Sequence, residues 1–266
     1  MASKTASFSK SIQSYLAYTR MPWGQLFYAT AWHQIDRFLE ASGQSILDIG
    51  SGFGITSSEY ARRGNRVTGL DPTPEMIEFA KQSASDNHLS IDYRVSTFQE
   101  ELALPGRYDW IFCHNVLEYV EEPGDLLKRI GSKQNERGYL SLIAHNPVGK
   151  VMKKAVIVKD PEEALHSLES DQEYSSVIQT DITTYPYERL QQWLQEAGYE
   201  VLDRCGIHNI YGYIADNEIK RQEEWHRRAM KLEFELGHLS PYRDIAVFTH
   251  LIARKKIIAY PTNSKG

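Results

Sequence analysis

Two carboxylates bracket a glycine loop. The stretch SILDIGSGFG is an apolar run that ends in Asp48 and then alternates Gly50, Gly52 and Gly54 with Ser51 and Phe53. Asp71 follows the last glycine by 17 positions, at the end of the apolar stretch RVTGL. Such glycines let a ligand approach the backbone closely. Their spacing is G-x-G-x-G, not the G-x-G-x-x-G of the dinucleotide fingerprint. A pyrophosphate here would meet Asp48 at short range in a poorly hydrated site, unfavourable by roughly several kcal/mol. A cationic ligand would be attracted. Asp71 stands near the roughly 20-residue spacing at which an acid accepts hydrogen bonds from ribose hydroxyls.

An adenine nucleoside with an ammonium and a sulfonium and no phosphate suits both acids, and S-adenosylmethionine is such a ligand. A structural turn capped by Asp48 and a dinucleotide-binding oxidoreductase remain as alternatives. Methyl transfer is an in-line displacement at a carbon already activated by sulfur, so the protein must align the groups and exclude water. An ionised carboxylate acceptor needs no general base, whereas an amine or hydroxyl does. No clear base constellation is visible. His114 and Asn115 follow the fourth strand, where methyl and acceptor must meet, and His114 is the candidate catalytic residue and cofactor contact. Glu118, four positions on, is placed to orient it. His145, Asn146, His208, Tyr211, Tyr242 and Arg243 are candidates for the acceptor pocket, with Arg243 or Arg204 as a bidentate partner for an acidic group. Trp23, Tyr185 and Tyr187 are candidates to stack on a base.

The elements that must position these residues follow from periodicity. Gly24–Ala41 carries apolar residues at helical spacing and stops at Gly43. Ile46–Ile49, Arg66–Leu70, Ile91–Val95, Tyr108–Cys113 and Tyr139–Ala144 read as strands. Helices are predicted over Ser57–Arg63, from Thr73 onward with Pro74 at the first helical position, and over Val116–Ile130 with a break at Pro123-Gly124. Strands alternating with helices imply crossovers and a mostly parallel sheet. Tyr199–Cys205 and Ile245–Ala253 read as late strands, with a helix over about 217–236 between them. The expected division is a single α/β domain. It comprises an N-terminal helical segment (1–44) opening on a disordered lead-in, a cofactor-binding half (45–146), an inserted cap (147–185), a C-terminal half (186–256) and a tail (257–266).

The composition of 41% apolar and 24% charged residues is that of an ordinary globular protein. The formal net charge of −5 argues against an indiscriminate nucleic-acid binder. Basic residues still cluster: Lys150, Lys153, Lys154 and Lys159, then Lys220, Arg221, Arg227, Arg228 and Lys231, then Arg254–Lys256. Cys113 and Cys205 lie in apolar stretches and read as reduced core residues. No metal site is expected, and no apolar run is long enough to cross a bilayer as a helix, so the chain reads as cytoplasmic.

The motifs ILDIGSGFG, VTGLDPTPEMIEFA, YDWIFCHNVLEYVEEPGDLL and GYLSLIA resemble, in order, those of class I S-adenosylmethionine-dependent methyltransferases. The resemblance implies a Rossmann-like, doubly wound sheet with a reversed last strand. It assigns Asp48, Gly50, Ser51, Gly52, Gly54 and Asp71 to the cofactor and puts Thr97 and Phe98 beside the adenine. A narrower resemblance runs through GQLFYATAWHQIDRFL, HNVLEYVEEP, AHNPVG, YPYERLQQWLQEAGYEV and SPYRDIAVFTHLIARK. These are similar to bacterial methyltransferases acting on 5-carboxymethoxyuridine at the tRNA wobble position. It implies tRNA as partner and methyl-ester formation as the reaction; a small-molecule acceptor and a non-enzymatic cofactor-binding regulator are the rivals. That family carries an arginine after GQL for the cofactor carboxylate. Here the place is Phe27, and Arg20 is the candidate replacement.

Overall fold

Residues 2–39, 42–102 and 106–256 are described by a computed structural model, and the expected 257–266 tail lies outside them. Five parallel strands come first: β1 (Ser45–Ile49), β2 (Arg66–Asp71), β3 (Asp92–Val95), β4 (Tyr108–His114) and β5 (Gln134–His145). A separate hairpin, β6 (Gln172–Ser175) and β7 (Thr180–Thr183), precedes β8 (Tyr199–Ile207) and β9 (Phe248–Lys255). The main sheet has the order β3-β2-β1-β4-β5-β9-β8. Strand β9 runs antiparallel to both β5 and β8, as a reversed last strand should. The order changes direction between β1 and β4, and that switch opens a crevice beyond their carboxyl ends.

Both faces of the sheet are covered, which is why the central strands read as near-continuous apolar runs. Leu47, Ile49, Ile111, Cys113, Leu140 and Leu142 bury one face against helices Pro123–Ser132 and Tyr187–Glu196. Ile46, Trp110, Phe112 and Ile252 bury the other with Ile35 of helix Pro22–Ile35 and Tyr60 of helix Ile55–Arg62. The pleat sends alternate residues of each strand to opposite faces.

Several elements differ from the sequence reading. The expected lead-in is a helix, Ala2–Arg20, followed directly by helix Pro22–Ile35. The 217–236 helix is two, Asn217–Lys220 and Glu223–Leu236. Val116–Ile130 is a 3-10 turn (Leu117–Tyr119) followed by helix Pro123–Ser132, because proline at the first helical position restarts rather than continues a helix. The cap segment contains helices Pro147–Lys153 and Pro161–His166 and the β6–β7 hairpin, whose apolar-polar alternation is too short to register as a pattern.

Candidate active site

At the switch point lies a cavity of about 270 Å³, near the lower end of small-ligand pockets. Its floor is the loop after β1, where Gly50 has φ +70° and an added Cβ would stand 2.6 Å from Val116 Cγ2. Only glycine holds that turn without pushing β4's loop away. Gly50 and Gly52 line the cavity, but Gly54 and Ser51 do not. Gly54, with φ +71°, instead starts helix Ile55–Arg62 and packs against Tyr93, and the Ser51 amide donates to Leu70 O at 2.8 Å.

Asp71 lines the cavity at the end of β2. Its Oδ2 accepts from Gly52 N–H at 3.0 Å and its Oδ1 from Thr73 N–H at 2.8 Å. The Thr73 side chain donates to the carboxylate as well, and of roughly four lone-pair sites about one stays open. Burial pushes its carboxyl up, opposed by the hydrogen bonds from Thr73 and Gly52. Beside it, Ser96, Thr97, Phe98 and Gln99 form the β3 side of the cavity. A capping box between Thr97 and Glu100 fixes that turn.

Asp48 is a correction. It shares a β1 face with Ile46, beneath helix Ile55–Arg62, and does not line the cavity. Its Oδ2 accepts from Ser57 Oγ at 2.6 Å, and desolvation raises its pKa to about 7. Its charge is felt in the cavity by Tyr15 and Tyr28 and is coupled to that of Asp71.

Arg20 is a second correction: it is exposed at a helix end and is not part of the cavity. Tyr15, Tyr18 and Tyr28 stand there instead, together with Phe27. Tyr15 and Tyr28 are hydrogen-bonded to each other, and burial raises the pKa of all three phenols. Sequence reasoning missed Tyr15 and Tyr18 because they lie in the expected lead-in. Their i, i+3 spacing in SIQSYLAYTR was the available signal.

On the β4–β5 side the wall is His114, Asn115, Val116, Tyr119, His145 and Phe248, and the cap contributes Ser175, Val177 and Ile178. His114 Nε2 lies 2.7 Å from Ser141 Oγ. Desolvation lowers the pKa of His114 to about 3, and that of His145 likewise, aided there by Lys153. The Oε1 of Glu118 accepts the His145 backbone N–H at 2.8 Å, and burial raises the pKa of Glu118 to about 7.

The remaining acceptor-pocket candidates lie elsewhere. Asn146 donates to Asp244 O and Ala246 O at 3.0 and 2.8 Å and caps helix Pro147–Lys153. His208 is buried against Trp23 O, Tyr211 bonds His226 Nδ1 at 3.0 Å, and Arg243 donates to Arg204 O and His238 O. Tyr242 is exposed on a 3-10 turn. None of the five borders the cavity. Arg204 pairs with Asp244 at 2.9 Å and lies over Tyr187, Tyr185 packs on Trp193, and Trp23 lies by Lys220. Among the described residues, half of the twelve in the basic clusters pair with acids, Arg221 with Glu218 included. Lys153 pairs with Glu173, Lys154 with Glu163, Arg227 and Arg228 with Glu224, and Arg254 with Glu200. Lys150 is buried and holds Ser170 O of the cap.

A switch-point cavity with an acid on β2, glycines after β1 and a reversed last strand defines a class I methyltransferase. The chain belongs to the methyltransferase-domain family, whose model matches residues 23–204, and it is an S-adenosylmethionine-dependent enzyme. It is 29% identical over 249 residues to the tRNA 5-carboxymethoxyuridine methyltransferase of Escherichia coli (strain K12), covering 87% of this chain and 89% of that protein. It is 27% identical over 217 residues to the ubiquinone biosynthesis O-methyltransferase of Coxiella burnetii (strain Dugway 5J108-111), covering 81% of each. In fold it is similar to a putative S-adenosylmethionine-dependent methyltransferase from Listeria monocytogenes. The TM-score is 0.60 at 18% identity, covering 88% of this chain and all of that one.

Proposed function

We propose that this protein methylates the carboxylate of 5-carboxymethoxyuridine at the tRNA wobble position, giving a methyl ester. The cofactor supplies, when bound, a methyl group on a sulfonium, already activated for displacement. The cavity's polar groups fit that cofactor: Asp71 keeps lone-pair capacity for a ribose hydroxyl, and Phe98 lines the cavity with it. Tyr15, Tyr18 and Tyr28 line the same cavity, and in this reading their phenol hydroxyls meet the amino-acid end of the cofactor. They take the carboxylate in place of the arginine that Phe27 displaces. Gly50 and Gly52 present backbone to the ligand, and Ile178, Val177 and Phe248 exclude water from the β4–β5 side.

The observation that carries the acceptor class is the basicity of the wall. His114 and His145 are both pushed to about 3, so neither takes up a proton near neutral pH. A carboxylate acceptor is ionised already and asks for none. The E. coli likeness over most of both chains supplies the particular carboxylate. The second reading is a small phenolic or hydroxyl acceptor, favoured by the net charge of −5 and by the pairing of half of the basic-cluster residues with acids.

Labelled methyl transfer into bulk tRNA from cells lacking the protein, followed by nucleoside mass spectrometry, separates the two. A methyl ester on carboxymethoxyuridine is the expected result. No incorporation, with cofactor binding intact, refutes the tRNA reading and moves the search to small phenolic acceptors.

A further inference from the structure

A chain of buried hydrogen bonds crosses the sheet and ends at the cavity. Gln34, on helix Pro22–Ile35, donates from Nε2 to Gly206 O at 2.9 Å. Its Oε1 lies 2.6 Å from His250 Nδ1 on β9. His250 Nε2 lies 2.8 Å from Ser141 Oγ on β5, and Ser141 Oγ lies 2.7 Å from His114 Nε2 on β4. Gln34, Ser141 and His250 are all at most 2% exposed.

With both imidazoles neutral, as their burial favours, donors and acceptors along this chain can be arranged in one way. Turning the Gln34 amide over would set its oxygen against the Gly206 carbonyl, so Oε1 faces His250 and must accept. His250 therefore carries its proton on Nδ1. Its Nε2 is a lone pair, and Ser141 has a single hydroxyl proton, which goes there. Ser141 Oγ then accepts, and His114 must carry its proton on Nε2. Burial disfavours the imidazolium of both histidines, which leaves His114 Nδ1 unprotonated. His114 borders the cavity, and its Nε2 is the ring nitrogen turned to Ser141.

We propose that Ser141, His250 and Gln34 are positioning residues that lock His114 as a neutral imidazole whose Nδ1 accepts a hydrogen bond from an N–H or O–H of the methyl acceptor. This rests on the methyltransferase reading for the identity of the ligand, but the lock itself does not. A carboxylate could not occupy that spot, since two lone-pair bearers would face each other. The acceptor must bring a donor group to Nδ1 beside its reacting oxygen, as a nucleoside with ring N–H and ribose hydroxyls does. His114 selects by hydrogen bonding and takes no proton.

Side-chain nitrogen NMR on isotope-labelled wild-type protein reads the tautomer directly. The expected result is the Nε2–H form for His114, giving way to a mixture in Ser141→Ala. The Nδ1–H form in the wild type, or an unchanged tautomer in Ser141→Ala, overturns the lock. The second arm uses tRNA from cells lacking the protein and S-adenosylhomocysteine as the cofactor probe. His114→Ala is expected to raise the KM for tRNA about 3- to 10-fold, one neutral hydrogen bond's worth, with cofactor Kd unchanged. His114→Asn, whose side-chain oxygen falls near the place of Nδ1, should recover part of that loss. Weaker cofactor binding with an unchanged tRNA KM overturns the assignment to the acceptor. The Nε2–H tautomer together with no methylation of tRNA would sustain the lock and sink the tRNA reading.

Discussion

Replacing Asp71 by alanine is the sharpest test of the cofactor geometry. The carboxylate is more than nine-tenths buried and already serves two backbone donors, Gly52 N–H at 3.0 Å and Thr73 N–H at 2.8 Å, one on each oxygen. The Thr73 side chain is a third donor to this carboxylate, so of its roughly four lone-pair sites about one is left for a ribose hydroxyl. A hydrogen bond to a charged group contributes about 1.5–3 kcal/mol, which corresponds to roughly 10- to 150-fold in Kd. Calorimetric titration of S-adenosylhomocysteine should therefore show at least about 10-fold weaker binding to Asp71→Ala. The variant also releases the Gly52 and Thr73 amides, so a ligand cycle is needed. An analogue lacking the 2′ and 3′ hydroxyls should bind wild type and variant with nearly equal affinity. A loss below about fivefold for the parent ligand, or an equal loss for the analogue, would refute the lone-pair argument.

Other consequences can be checked in parallel. Tyr28→Phe should weaken S-adenosylhomocysteine roughly 10- to 100-fold and leave 5′-methylthioadenosine, which lacks the amino-acid end, unaffected; equal losses would put Tyr28 elsewhere. The raised pKa of Asp48, about 7 against an ordinary 3.8, means the folded state binds the proton more tightly than the unfolded chain. Stability of the free protein should then fall as pH rises from about 4 to 7, with Glu118 acting in the same sense. Urea midpoints across that range should decline, and Asp48→Asn should flatten part of the decline; an unchanged slope would contradict the burial argument. Phe27→Arg restores the residue type of the similar tRNA methyltransferases, but Phe27 packs among Ala31, Ile143, Ile207, Val247 and Phe248. A buried guanidinium there should cost about 3 kcal/mol and lower Tm by roughly 6–12 °C, without tighter cofactor binding. A gain in affinity would show that the tyrosines are not a working substitute.

The sequence by itself determined the order of strands, the glycine turn and the acid at the end of β2. These depend on short-range rules. Gly50 must be glycine because of its own φ and the Val116 methyl, and Asp71 reaches Thr73 two residues away. The reversed last strand came from the family resemblance, which put it at Ile245–Ala253, and β9 does lie antiparallel between β5 and β8. Tertiary structure decided which of the named side chains face the ligand. Asp48 and Ile49 are neighbours, yet the pleat turns Asp48 to Ser57 and gives Ile49 to the cavity. The acceptor wall was misread for the same reason. Asn146, His208 and Tyr211 follow strands and Arg243 precedes β9, but each is spent on a backbone or side-chain partner that no local pattern reveals. Tyr15 and Tyr18 enter the site only because a helix far from β1 in sequence folds over the glycine loop. The state of His114 is set across four elements, from Gln34 through residue 250, and a proton's position on an imidazole is a property of that whole chain of contacts.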